Sequence, residues 1–245
     1  MAGTALPGRL SWLTATAVKR HTETARTKSI SFEVPGWGGH RAGQHVDVRL
    51  TAPDGYQAER SYSIASAPGD PLLMLTVERI EDGEVSPYLV DELRDGDAIE
   101  LRGPIGGYFV WQDSYPGPVL LVAGGSGIVP LRSMLRHRGA SDATTPVRVL
   151  YSARSPAELI YAEELSALVD VDVHLVYTRE WPEDWEGPRG RIDAALLAAL
   201  AWSPSEEPIS FVCGPNGFVE TAATALVANG HSPLRVRTER FGPSG

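Results

Sequence analysis

The hydrophobic pattern of this chain changes period at about residue 118, and no single sheet or helical bundle accommodates both patterns. Up to about residue 110 the chain runs in short alternating stretches: LTATAVKRHTE, SISFEV, HVDVRL, RSYSIAS, LLMLTVERI and DAIELRG. They are punctuated by PGWGG, APDG, APGD and RDGD. Alternation is the period of a half-buried strand and Gly/Pro clusters mark turns, so this half predicts a small antiparallel barrel. SPYLVDELR interrupts it as one predicted helix, with Ser86 as N-cap and Pro87 at the first helical position. After the linker-like DSYPGP, apolar runs alternate with helix-length segments. VLLVA is followed by IVPLRSMLRHR, VRVLYSA by PAELIYAEELSALV, VDVHLVYT by IDAALLAAL, and ISFVCG by NGFVETAATALVA. That is the pattern of a parallel sheet covered by helices. The expected organisation is a barrel over residues 1–114 and an α/β domain over 115–245, with REWPEDWEGPRG as a polar insertion in the second.

Composition excludes several function classes. The net charge of −9 is spread evenly, so neither half is a basic module of the kind that binds nucleic acid. The single cysteine, Cys213, allows no internal disulfide, no four-cysteine iron–sulfur cluster and no such zinc site. The six histidines are scattered without metal-ligand spacing, so no metal site is expected. No apolar run approaches the ~20 residues of a membrane span. MAGTALPGRL lacks a charged region followed by an apolar core, so a cytoplasmic protein is expected. No GxSxG elbow appears, which leaves hydrolysis without support.

Three local features carry chemistry. In RSYSIAS, strand alternation puts Arg60 and Tyr62 on one face and Ser61 and Ser63 on the other, so Ser63 joins the first pair only if the strand bends. AGGSGIVP, Ala123 to Pro130, lies between a buried strand and a helix. There Gly124, Gly125 and Gly127 permit a tight turn, and the helix N-terminus offers amides to a phosphate. CGPNGF, Cys213 to Phe218, repeats the arrangement. Its cysteine reads either as a small buried thiol or as a thiol held beside a ligand at the carboxyl edge of the sheet.

Taken in order, Arg60-Ser61-Tyr62-Ser63 as RxYS, Gly83-Glu84-Val85-Ser86 as GxxS, GGSGIVP, CGPNGF and the terminal Glu239-Arg240-Phe241-Gly242 resemble the ferredoxin–NADP reductase family over nearly the whole chain. The resemblance implies an N-terminal Greek-key flavin barrel and a C-terminal Rossmann-like nucleotide domain. It implies that Arg60 holds a flavin phosphate, Tyr62 lies against the flavin ring and Ser63 bonds near its reactive nitrogen. Ser61 lies within the same motif, and the loop of Gly83, Val85 and Ser86 would receive the cofactor pyrophosphate. FAD is favoured over FMN, although related reductases use a similar loop for FMN. The nicotinamide nucleotide would lie over Gly124, Gly125, Ser126, Gly127 and Pro130, with Cys213, Gly214 and Pro215 near its reactive carbon and Glu239 and Phe241 beside the flavin. Ser63, Cys213 and Glu239 are the candidate catalytic residues.

Arg154, Arg179 and Arg191 match positions that surround the ribose phosphate in NADP-using members, so NADPH is favoured. NADH stays open, because GR before an apolar residue also occurs in NADH-using members and this chain uses 20 Arg against 2 Lys. The resemblance implies an oxidoreductase that passes electrons to a separate partner, a ferredoxin or an oxygenase component. A docking patch for it can be drawn from Arg9, Lys19, Arg20, Arg26 and Lys28. The alternatives are a reductase of free flavin or small acceptors, and a non-catalytic redox-sensing subunit.

Overall fold

A computed structural model describes residues 10–141 and 144–242. Six strands, β1 (Leu13–Thr24), β2 (Thr27–Glu33), β3 (His45–Thr51), β4 (Gln57–Ser63), β5 (Leu73–Glu78) and β6 (Ala98–Ile105), form an antiparallel sheet in the order β4-β3-β6-β1-β2-β5. The sheet curls until its ends meet, where Ile64 bridges Leu75 and the Ala65 amide donates to the Met74 carbonyl at 2.8 Å. Closure removes the exposed edges and encloses Ile30, Phe32, Val46, Val48, Leu75 and Leu101 as a core.

The second domain is a five-stranded parallel sheet in the order β11-β10-β7-β8-β9, built from β7 (Val119–Gly124), β8 (Val147–Ala153), β9 (Asp172–Tyr177), β10 (Ile209–Pro215) and β11 (Val236–Phe241). The helices are α1 (Ile128–Ala140), α2 (Ala162–Ser166), α3 (Ala194–Leu200) and α4 (Asn216–Ala228). In β7, Val119, Leu121 and Ala123 join the core on the α1 side, while Leu120 and Val122 join the core under α3 and α4. Burial on both faces is why this strand reads as a continuous apolar run. Strand order reverses between β7 and β10, which puts a crevice at their carboxyl ends, beside Gly124 and Cys213.

Two expectations need correction, and one strand went unforeseen. PAELIYAEELSALV is not one helix: it splits into a 3-10 turn at Pro156–Glu158 and the five-residue α2. Tyr161 intervenes at φ 62°, its hydroxyl donating to Thr76 of the barrel, while the Ile160 amide donates to the Tyr151 hydroxyl at 3.2 Å. Those buried tertiary bonds override the local period. In SPYLVDELR the chain winds over residues 86–92, with Tyr88–Glu92 as a π-helical turn. Pro87 stands at its N-cap, and the Ser86 hydroxyl instead accepts from the Ile80 amide at 3.0 Å. Finally, the terminal VRTERF is a strand, β11, which local pattern did not predict.

The expected docking patch is largely engaged within the barrel. Arg20 pairs with Asp95 at 2.9 Å, and Arg26 and Lys28 donate to the carbonyls of Arg79 and Val90 at 2.9 and 2.6 Å. Lys19 is exposed, and Arg9 lies outside the described residues. Among the described residues no helix is long and apolar enough to cross a membrane, and no group of three or more His, Cys, Asp or Glu side chains is placed to hold a metal ion.

Candidate functional site

β4 changes partner at its end. Through Ser63 it pairs with β3, and at Ile64 it crosses to β5, the Ile64 amide donating to the Gln44 carbonyl at 3.0 Å. Gln44 is itself pinned, its side chain accepting from the Arg41 amide at 2.7 Å and donating to the Gly106 carbonyl at 2.6 Å. The strand changes partner there, next to the position where the sequence called for a bend. It leaves Ser63 buried, with its hydroxyl donating to Glu239 Oε1 of β11 at 3.3 Å. Tyr62 is half-buried, and burial pushes its phenol up, so it stays neutral.

Arg60 is exposed and faces the loop that holds Gly83, Val85 and Ser86. Its guanidinium meets Glu84 at 3.2 Å, and the Tyr56 hydroxyl donates to the same carboxylate at 2.5 Å. Val85 is buried in the barrel core, and Ser86 is buried beside it. Ser61 points away from this group: it donates to Asp47 at 2.7 Å, on the face where Asp47 also pairs with Arg102. An exposed guanidinium, an aromatic ring, and a hydroxyl at the strand end form a donor set that fits a planar cofactor carrying phosphate.

On the other side of the crevice the turns after β7 and β10 touch backbone to backbone. A Cβ on Gly127 would lie 2.1 Å from the Cys213 carbonyl oxygen, and one on Gly214 would lie 3.0 Å from that of Gly124. Gly124 is itself closed in by the Phe218 ring, 2.8 Å from where its Cβ would be. Gly125, at φ 55°, faces open space, and Ser126 beside it is half-buried. Pro130 is buried in the first turn of α1. A bare backbone turn opening to solvent ahead of a helix N-terminus fits a dinucleotide phosphate.

Cys213 is opposite Ala123 of β7 on one side and Glu239 of β11 on the other. It is fully buried; burial and then the Glu239 carboxylate raise the thiol well above its usual range, so it stays protonated. Burial pushes Glu239 up to about 7, against the pull of the Ser63 hydrogen bond. Phe241, half-buried, is opposite Pro215.

The three arginines lie farther along the same rim. The Arg154 carbonyl accepts from the amides of Arg179 and Glu180, both at 3.0 Å, which joins the ends of β8 and β9. The polar insertion folds around Trp185, whose ring meets Tyr177 edge-on at 4.8 Å, and Gly190 returns to donate to the Tyr177 carbonyl at 2.8 Å. That return carries Arg191 back toward the strand ends. Arg154 pairs with Glu158 at 3.5 Å, whereas among the described residues no carboxylate pairs with Arg179 or Arg191.

Sequence reasoning missed the contacts that join the domains here: Arg132, Ser133 and Tyr161. A signal was present, because Arg-Ser interrupts the otherwise apolar IVPLRSML. A charged residue on a buried helix face needs partners: Glu164 of the same domain takes the charge, and the Ala65 carbonyl of the other domain accepts a second hydrogen bond.

Residues 15–110 match the oxidoreductase FAD-binding domain family, and residues 121–224 match the oxidoreductase NAD-binding domain family. A ferredoxin–NADP reductase B of Sorangium cellulosum (strain So ce56) is 38% identical over 203 residues, covering 78% of this chain and 78% of that protein. The chain belongs to the ferredoxin–NADP reductase family. The two-domain fold and the FAD- and NAD-binding assignment of its halves therefore agree with the resemblance carried by its five ordered motifs.

A glycine betaine monooxygenase reductase subunit of Chromohalobacter salexigens is 33% identical to this ferredoxin–NADP reductase family member over 233 residues. That match covers 92% of this chain and 62% of the relative, so the chain spans less than two thirds of that protein's length. The FAD/NAD-binding domain of a nitric oxide dioxygenase from Vibrio cholerae O1 biovar El Tor has the same fold, with a TM-score of 0.82 at 26% identity. The likeness covers 94% of this chain and 99% of that one.

Proposed function

We propose that the chain is a flavin-dependent NAD(P)H oxidoreductase, drawing electrons from NADPH through FAD to a separate redox protein, a ferredoxin or an oxygenase component. The observation that carries this reading is the hydrogen bond from Ser63 to Glu239, which joins the end of the flavin strand to the nucleotide domain beside Cys213. A bound flavin accepts an electron pair from reduced nicotinamide and releases electrons singly. This chain's residues bind and orient. Arg60, with the loop of Gly83, Val85 and Ser86, holds the flavin phosphates, and Tyr62 packs on the ring. The turns of Gly124 to Pro130 and Cys213 to Pro215 seat the nucleotide. Phe241 would close over the ring, Cys213 would keep an uncharged group at the nicotinamide seat, and Glu239, raised to about 7 by burial, can take up or release a proton there near neutral pH.

Arg154, Arg179 and Arg191 support NADPH, because a doubly ionised ribose phosphate needs clustered guanidinium groups. The name of the glycine betaine relative, a monooxygenase reductase subunit, supports a separate protein acceptor. We further assign the flavin domain to residues 1–114, the nucleotide domain to 115–245, and the protein to the cytoplasm.

The test is the visible spectrum of the purified protein, followed during anaerobic mixing with NADPH and with NADH. Flavin absorbance that bleaches much faster with NADPH is the expected result. A colourless protein that binds no flavin would overturn the reading. Bound flavin that neither nucleotide reduces would reassign the chain to a binding subunit, and equal turnover of free flavin and protein acceptors would make free flavin its substrate.

A further inference from the structure

We propose that Arg132 and Ser133 of α1 are positioning residues that set the distance between the flavin strand and the nucleotide turn. The inference rests on the function proposed above. Arg132 is 5% exposed and Ser133 is fully buried, an unusual place for polar side chains in the middle of a helix. Both reach across the domain boundary. Arg132 Nη1 donates to the Ala65 carbonyl at 3.0 Å, and the Ser133 hydroxyl donates to the Ser66 carbonyl at 2.6 Å. Ala65 and Ser66 directly follow Ile64, where the strand that ends in Ser63 changes partner. At its other end, α1 starts just after Gly127, and Arg132 is five residues on, about 7.5 Å of helix rise. One short rigid piece of helix therefore links the two cofactor seats.

The clamp is braced from behind. Glu164 takes Arg132 at 2.8 Å and Arg136 at 2.7 Å, and the Arg132 guanidinium lies 4.5 Å over the Tyr161 ring. The Tyr161 hydroxyl donates to Thr76, and its amide donates to Glu23 at 3.3 Å, both in the barrel. Glu23 in turn accepts from Ser29, whose hydroxyl also meets Thr76 at 2.8 Å. Each bond in this ring crosses the boundary or holds a residue that does. General interface packing stabilises two domains without fixing their register; directional bonds onto the residues next to Ser63 fix it.

Two variants test this. Arg132→Lys keeps the charge for Glu164 but loses the forked geometry that also reaches the Ala65 carbonyl. Ser133→Ala removes one hydroxyl and leaves the Ser66 carbonyl with His40 Nε2 at 3.1 Å, so it keeps the test open if the lysine variant does not fold. For each, three quantities are read. These are FAD content with the equilibrium dissociation constant for NADP⁺, the limiting rate of anaerobic flavin bleaching, and the distance distribution between spin labels at Glu33→Cys and Ala198→Cys. Both label positions are exposed, one in each domain, while Cys213 is buried.

The expected result is unchanged FAD content and nucleotide affinity, bleaching slowed on the order of tenfold to a hundredfold, and a broadened distance distribution. Wild-type bleaching with a narrow distribution overturns the proposal. So does a slower rate that appears only together with lost FAD or weaker nucleotide binding, since that is a merely structural role. Failure of the function itself looks different: wild-type flavin is then bleached by neither nucleotide, and the label distances still decide whether the clamp exists.

Discussion

The Ser63 hydroxyl of β4 donates to the Glu239 carboxylate of β11 at 3.3 Å, joining residues 176 apart in sequence and in different domains. Burial of Glu239 at this junction, which outweighs the pull of the Ser63 bond, makes stability depend on pH. Burial lifts Glu239 from 4.5 to about 7, so between these values the folded protein keeps a proton that the unfolded chain has released. Stability from this group is complete below about pH 4.5 and is lost as pH rises toward 7. In the flavin-free protein, Glu239→Gln is expected to gain on the wild type across that window in thermal melts. Parallel pH profiles for the two proteins would remove Glu239 as the source.

Gly127 and Gly125 share one turn but differ in what a side chain would meet. A Cβ at 127 would meet the backbone of Cys213 at 2.1 Å and of Gly214 at 2.7 Å, whereas a Cβ at 125 would meet nothing. Gly127→Ala is expected to cost about 3 kcal/mol by overpacking. Gly125→Ala is expected to cost about 1 kcal/mol through its positive φ alone. Urea midpoints measure both, and equal losses would contradict the backbone contact.

Arg60 and Glu84 form a pair whose side chains are 55% and 45% exposed, so the pair adds little to stability. Arg60→Ala should leave the melting temperature of the flavin-free protein nearly unchanged. It should weaken FAD binding about tenfold to a hundredfold, the value of a lost charge-assisted bond. Quenching of FAD fluorescence on titration gives the constant, and unaltered affinity would take the phosphate role from this residue.

Arg179 is a candidate for nucleotide choice, since no carboxylate pairs with it among the described residues. Arg179→Ala should weaken NADP⁺ binding about tenfold and leave NAD⁺ binding within twofold. Equal weakening of both would place the arginine on a shared part of the nucleotide.

Cys213, the single cysteine, is fully buried with its thiol raised by burial and by Glu239. It should resist iodoacetamide in the native protein at about pH 8 and react on denaturation. Rapid native labelling would show that the crevice opens.

The division of the chain was legible in its sequence because hydrophobic period is a local property. Period two before residue 110 and buried runs alternating with helices after 118 each report which faces a short segment buries. The ordered motifs RxYS, GxxS, GGSGIVP, CGPNGF and ERFG were legible for a similar reason, since each is a short stretch whose chemistry survives without its neighbours. Only the tertiary structure decided the rest. β11 is a half-buried edge strand, so VRTERF carries almost no apolar signal, and it is its pairing with β10 that sets Glu239 opposite Cys213. The helix expected through Tyr161 breaks because a buried hydroxyl finds Thr76, and Arg132 turns inward because the Ala65 carbonyl and Glu164 await it. Each outcome depends on a hydrogen bond between residues far apart in the chain, and a local pattern cannot encode a partner that only folding brings near.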